Sequence, residues 1–80
     1  MQILISDRAV EALKDAPPNV QRAFRKQLRF LSENLQHPSL RAKKYDEAKD
    51  LWQARVTRNW RFYFKIVNDT IRIDELIPHR

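Results

Sequence analysis

Apolar residues recur along this chain with two different periods, and the change between them separates a helical half from a stranded half. From Pro18 to Leu35, the residues Val20, Phe24, Leu28, Leu31 and Leu35 fall within about 80° of arc at 100° per residue, while Arg22, Arg25, Lys26, Arg29 and Glu33 gather on the opposite side. That spacing predicts one amphipathic helix of roughly 27 Å, started by Pro18 in its first turn and ended by His37 and Pro38. From Leu51 the period becomes two. Trp52, Ala54 and Val56 alternate with Gln53, Arg55 and Thr57, and Trp60, Phe62, Phe64 and Ile66 alternate with Arg61, Tyr63 and Lys65. These are two half-buried strands. Asn68-Asp69 supplies a hairpin turn without glycine, since both residues tolerate positive φ, and a third strand runs from Thr70 to Ile77 before Pro78.

The segment before the long helix carries a short strand, Gln2 to Ser6, and a short helix from about Arg8 to Lys14, capped by Ser6 or Asp7 and stopped by Pro17-Pro18. Residues 39 to 50, SLRAKKYDEAKD, show no sustained period and read as a loop with one helical turn at most. The order is therefore β-α-α-β-β-β. This is an α+β fold, two N-terminal helices packed on one face of a small antiparallel sheet whose apolar side (Trp60, Phe62, Phe64, Ile71, Ile73) they cover. Residues 1 to 80 form a single domain with no linker or repeat between its elements.

Composition narrows the chemistry. The chain has 80 residues, no glycine, no cysteine and two histidines, His37 and His79. Without glycine there is no P-loop, dinucleotide fingerprint or nucleophile elbow, which argues against nucleotide-cofactor enzymes. Without cysteine there is neither a thiol nucleophile nor a disulfide, and a structural zinc site lacks its ligands. A chain of this size buries only about 60 % of the surface its unfolded form exposes, so a stabilising partner is expected. No apolar run approaches a signal-peptide core or the ~20 residues of a membrane span, and the chain reads as cytoplasmic.

Charge then points to a partner. Sixteen Lys and Arg against ten Asp and Glu give a net charge of +6, and residues 51 to 67 contain Arg55, Arg58, Arg61 and Lys65 with no acid among them. A polyanion suits that segment. Strict alternation puts Arg55, Arg61, Tyr63 and Lys65 on the sheet face away from the helices, with His79 and Arg80 at its end. Arginine matches phosphate because its planar fork donates two parallel hydrogen bonds and keeps its proton near neutral pH. No carboxylate pair or Ser-His-Asp arrangement is legible, which leaves a metal-free, cofactor-free reaction on a phosphodiester as the chemistry these residue types suggest. Solvated charge is the competing reading of the same arginines. Trp52 and Trp60 are expected in the core, although an aromatic at the sheet's edge is able to stack an unpaired base.

LWQARVTRNWRFYFKI followed by NDTIRIDELIPHR resembles the C-terminal half of the RelE/ParE superfamily of toxin-antitoxin toxins. The HPSLRAKKY stretch is similar to that family's connector, and the ordered set of features spans the chain. The resemblance implies a toxin, RelE-like, that enters the ribosomal A site and cuts mRNA without a metal, the 2′-hydroxyl attacking the adjacent phosphorus. It implies Arg61 as the main phosphate-stabilising group, Arg55 and Arg80 as further cations, and His79 as general acid or base. Lys43 and Lys44 would hold RNA backbone or rRNA, with Arg58, Tyr63 and Lys65 as further RNA contacts. A cognate antitoxin with an acidic segment would fold across the cationic face. Many members carry a further tyrosine or histidine after the H-R pair; if Arg80 is the native end, proton transfer rests on His79 or Tyr63, and if it is not, the site as given is incomplete. The glycine common before the tryptophan is also missing. The same superfamily includes ParE-like inhibitors of DNA gyrase, and an inactive nucleic-acid-binding or antitoxin-binding module is a third reading.

Overall fold

A computed structural model describes residues 2–79. Five strands and two helices follow the chain as β1 (Gln2–Ile5), α1 (Asp7–Asp15), α2 (Pro18–Glu33), β2 (Lys43–Asp46), β3 (Leu51–Thr57), β4 (Trp60–Val67) and β5 (Thr70–Pro78), with a single 3-10 turn at Pro38–Leu40. The sheet order is β1-β5-β4-β3-β2. β3 to β5 form the antiparallel meander that the alternation predicts, β2 adds an antiparallel strand at its edge, and β1 lies parallel to β5, so the sheet is mixed.

Both helices cover one face. Phe24 and Leu31 of α2, with Ala9 of α1, are buried against Phe62, Phe64, Ile71, Ile73 and Leu76, and the rings of Phe24 and Phe62 meet edge to face at 5.4 Å. The Ser6 hydroxyl caps α1 by accepting from the Ala9 amide at 3.1 Å, and it donates to the Asp74 carbonyl at 2.8 Å, which ties the helix start to β5. The amide nitrogen of Gln21 donates to the Leu13 and Ala16 carbonyls, so α2 satisfies the end of α1. Asn34 ends α2 one turn before His37, whose ring instead stacks on Phe30 at 3.8 Å.

Two expectations are corrected. The segment 39–50 holds strand β2 as well as a helical turn; its residues are indifferent β formers, and pairing with β3 supplies the strand that local propensity does not specify. The long helix stops at Glu33 because the chain turns extended at Asn34 (φ −159°).

In a chain without glycine the left-handed backbone positions fall to Arg41, Asp50 and Asn68, with φ of 47°, 55° and 55°. Asn and Asp accept that region readily, and Asn68 makes the β4–β5 turn expected from the sequence. For Arg41 it is a strained position, costing about 1–2 kcal/mol.

Candidate functional site

The register brings cations together across the face away from the helices. Arg55 of β3 stands opposite Arg61 of β4, and one step along the strands Lys43 of β2, Gln53 of β3 and Tyr63 of β4 form the next row. Arg41 enters from the strained turn before β2, and His79 follows the end of β5, anchored by its amide donating to the Asn59 carbonyl at 2.6 Å. Arg41, Lys43, Gln53, Arg55, Arg61 and His79 line one cavity of about 360 Å³. Four of the six are permanently cationic, one is an imidazole, and none is a carboxylate.

Arg61 is the best-held of these groups. Its Nη1 donates to the carbonyls of Thr57 (2.7 Å), Trp60 (2.9 Å) and Arg58 (3.2 Å), all in or beside the β3–β4 turn. That turn thus fixes the guanidinium by backbone oxygens rather than by an acid, so its full charge remains for a ligand. Among the described residues its Nε and Nη2 have no protein partner, which leaves the side of the fork suited to bidentate contact with phosphate open. Burial lowers the Arg61 pKa from its ordinary value, and the neighbouring charges of Arg55 and Arg41 lower it further, against a smaller opposing effect of Tyr63. Arginine stays charged near neutral pH regardless. Like charges clustered this way repel one another, and no carboxylate in the cavity offsets them.

Arg61, Arg55, His79 and Lys43 line the same cavity. Tyr63 and Lys65 do not join them. They line a second hollow of about 540 Å³ on the same face, with Ser6, Arg8, Lys49, Leu51, Asp74 and Glu75. Its charges are mixed, and Arg8 and Glu75 pair at 2.6 Å across it. Tyr63 is buried, and its hydroxyl accepts from the Gln53 side-chain amide at 2.8 Å. Lys44 turns to the other side of β2: its ammonium bonds Asp50 and sits 5.1 Å from the Trp52 ring centroid. The hydrogen bond to Asp50 raises its pKa above the ordinary value. Arg58 is exposed in the β3–β4 turn and contributes its carbonyl, rather than its guanidinium, to the site. Arg80 lies outside the described residues.

Three residues that matter here escaped sequence reasoning. Arg41 and Tyr45 sit in the stretch read as loop, where no period marked a face. Gln27 lies on the apolar arc of α2 between Phe24 and Leu31, and a polar residue in that arc is the signal that was available. It is 2 % exposed, and its Nε2 donates to the carbonyls of Arg55 (2.7 Å) and Ser39 (3.0 Å). By that bond α2 holds the backbone from which Arg55 projects.

No protein-family model matches this sequence, and no curated protein matches it either. The likeness appears in three dimensions. The fold superposes on a YoeB/ParE toxin from Agrobacterium tumefaciens with a TM-score of 0.83 at 9% identity, over 100% of both chains. It superposes on the archaeal RelE–RelB complex from Pyrococcus horikoshii OT3 with a TM-score of 0.79 at 23% identity, over 96% of this chain and 92% of that one. For the E. coli DinJ–YafQ toxin-antitoxin complex the TM-score is 0.78 at 15% identity, over 98% and 91%. The architecture is that of the RelE/ParE toxins.

Proposed function

We propose that this chain is the toxin of a toxin-antitoxin pair, and that its cation-lined cavity is the active site of an endoribonuclease that cuts mRNA in the ribosomal A site. The observation that carries the reading is Arg61, held by three carbonyls in a cavity that Arg55 and His79 also line. Toxin folds similar over nearly the whole chain support it.

The cavity fits one reaction in particular. The 2′-hydroxyl of the RNA attacks the adjacent phosphorus, the bond from phosphorus to O5′ breaks, and the products are a 2′,3′-cyclic phosphate and a 5′-hydroxyl. Between them lies a five-coordinate phosphorane carrying an extra negative charge. Arg61, fixed before the charge develops, stabilises that state more than the ground state, and Arg55 adds a second cation across the strand pair. Two protons move: one leaves the 2′-hydroxyl and one reaches O5′. His79, the one imidazole lining the cavity, serves one transfer, and solvent at the open side serves the other. Tyr63 is the weaker choice for either, because its hydroxyl is buried and occupied by Gln53. Lys43 and Arg41 hold the flanking backbone.

The partner in this reading is a cognate antitoxin, as RelB is found with RelE and DinJ with YafQ. An acidic antitoxin segment laid across the cavity would neutralise Arg41, Lys43, Arg55 and Arg61 and close the site. The test is a cell-free translation reaction with new mRNA 5′ ends mapped by primer extension. Cuts inside translated codons that require ribosomes and vanish with Arg61→Ala are expected; intact mRNA and undiminished translation would contradict the proposal.

A further inference from the structure

Tyr45 is 59% exposed, the most exposed of the large hydrophobic residues among those described. It stands on the same face as the cavity, where its ring meets that of Tyr63 at 5.1 Å and 73°. Edge-to-face contact of this kind leaves at least one face of Tyr45 open to solvent. The support beneath it is rigid, since Tyr63 is 8% exposed and hydrogen-bonded by Gln53, which itself lines the cavity. Two residues back on β2, Lys43 lines the cavity as well. The separation along the strand is about 6.6 Å, within reach of one nucleotide from its phosphate to its base.

We infer that Tyr45 is a stacking platform for a nucleobase of single-stranded RNA whose backbone phosphate lies among Lys43, Arg55 and Arg61, an inference that rests on the RNA reading of that cavity. The cations bind the backbone and carry no sequence information, whereas an aromatic face orders the base and so fixes which phosphodiester meets Arg61. A tyrosine is suited to this because it offers a large flat surface with few torsions to immobilise. The neighbouring charge selects the occupant: four cations without a carboxylate in the adjoining cavity favour a polyanion carrying flat rings over an apolar protein segment.

The experiment compares two probes of equal charge, a fluorescein-labelled 2′-deoxy hexanucleotide, which lacks the attacking hydroxyl, and the same backbone with abasic sites. Binding is measured by anisotropy for the wild-type chain, Tyr45→Ala, Tyr45→Leu, Tyr45→Phe and Lys43→Ala. Tyr45→Leu keeps an apolar cover over Tyr63, so the comparison survives if Tyr45→Ala unfolds. Stacking predicts that Tyr45→Ala and Tyr45→Leu lose about 5- to 150-fold in affinity for the intact oligonucleotide and leave abasic binding unchanged. Tyr45→Phe restores the wild-type value, and Lys43→Ala weakens both probes alike. If the wild-type chain binds both probes equally, or Tyr45→Leu binds the intact one as tightly as wild type, the stacking role is wrong while the nucleic-acid reading stands. If neither probe binds, both fall, and Tyr45 is then a contact for a protein partner.

Discussion

Replacing Gln27 by leucine tests whether the site is held from behind by the helix layer. Gln27 is almost fully buried, and its side-chain amide is the donor that α2 offers to β3. In Gln27→Leu the Arg55 carbonyl loses that donor at a point where the β3–β4 register shifts and the ladder is interrupted. The Ser39 carbonyl and hydroxyl lose partners too, but Ser39 is exposed and water replaces them. The cost is therefore set mainly by the part-buried Arg55 carbonyl losing its side-chain donor, about 1–3 kcal/mol. Leucine's greater hydrophobicity offsets part of it, and near 2 kcal/mol a domain of this size loses roughly 8–16 °C in Tm. Gln27→Glu sharpens the test, because a carboxylate facing a carbonyl must keep its proton to donate. The folded-state pKa of that glutamate would lie above the unfolded value of about 4.3. The variant then matches wild type most closely at acid pH and loses stability as pH rises above the unfolded value toward the folded one. Circular dichroism melts of the three proteins from pH 4 to pH 8 measure both effects. A Gln27→Leu protein within about 0.5 kcal/mol of wild type, the range of surface substitutions, would refute the view that this bond supports Arg55.

Three further outcomes follow from the same geometry. Arg55 and Arg61 are directly opposed like charges, so Arg55→Gln relieves about 0.2–1 kcal/mol and raises Tm by roughly 1–8 °C, while nucleic-acid affinity falls; a lower Tm would contradict the account. Ser6→Ala removes both the α1 cap and the bond to the Asp74 carbonyl, with an expected loss of about 1–2 kcal/mol by denaturant titration. Binding of single-stranded RNA to a cavity with four cations should follow a log K against log salt slope near −3, at about −0.7 per phosphate contact. A flat salt response would remove the polyanion.

The fold was legible where a period was long. Eighteen residues of α2 pattern and the alternation from Leu51 to Ile77 predicted both layers, the meander and the face carrying Arg55 and Arg61. β2 was not legible, because four residues, KKYD, make too short a window for a period and owe their strand to a partner 5 to 10 positions along the chain. The parallel placing of β1 beside β5 joins the two ends of the sequence, a contact that no local pattern records. The site divides along the same line. Arg61 and Arg55 follow from alternation and from family resemblance, whereas resemblance alone pairs Lys44 with Lys43 in a stretch read as loop; in β2 the two face opposite sides, and the Lys44 ammonium goes to Asp50 and Trp52. Arg41 and Tyr45 were hidden in the same stretch. Gln27 shows the remaining gap: its burial is predictable from the helical arc, but its partner is a backbone carbonyl, which has no signature in sequence.

The central claim is that Arg61 acts on the transition state rather than merely binding RNA. Its most direct test is single-turnover cleavage on programmed ribosomes by wild type, Arg61→Lys and Arg61→Ala, with affinity for the uncleavable 2′-deoxy oligonucleotide measured in parallel. The account predicts that the rate at saturating protein falls at least about 100-fold in Arg61→Ala, the scale of losing one preorganised donor, while affinity falls only severalfold and Arg61→Lys recovers part of the rate. An unchanged saturated rate with affinity reduced in proportion would show Arg61 to be one phosphate contact among several, and would contradict the claim.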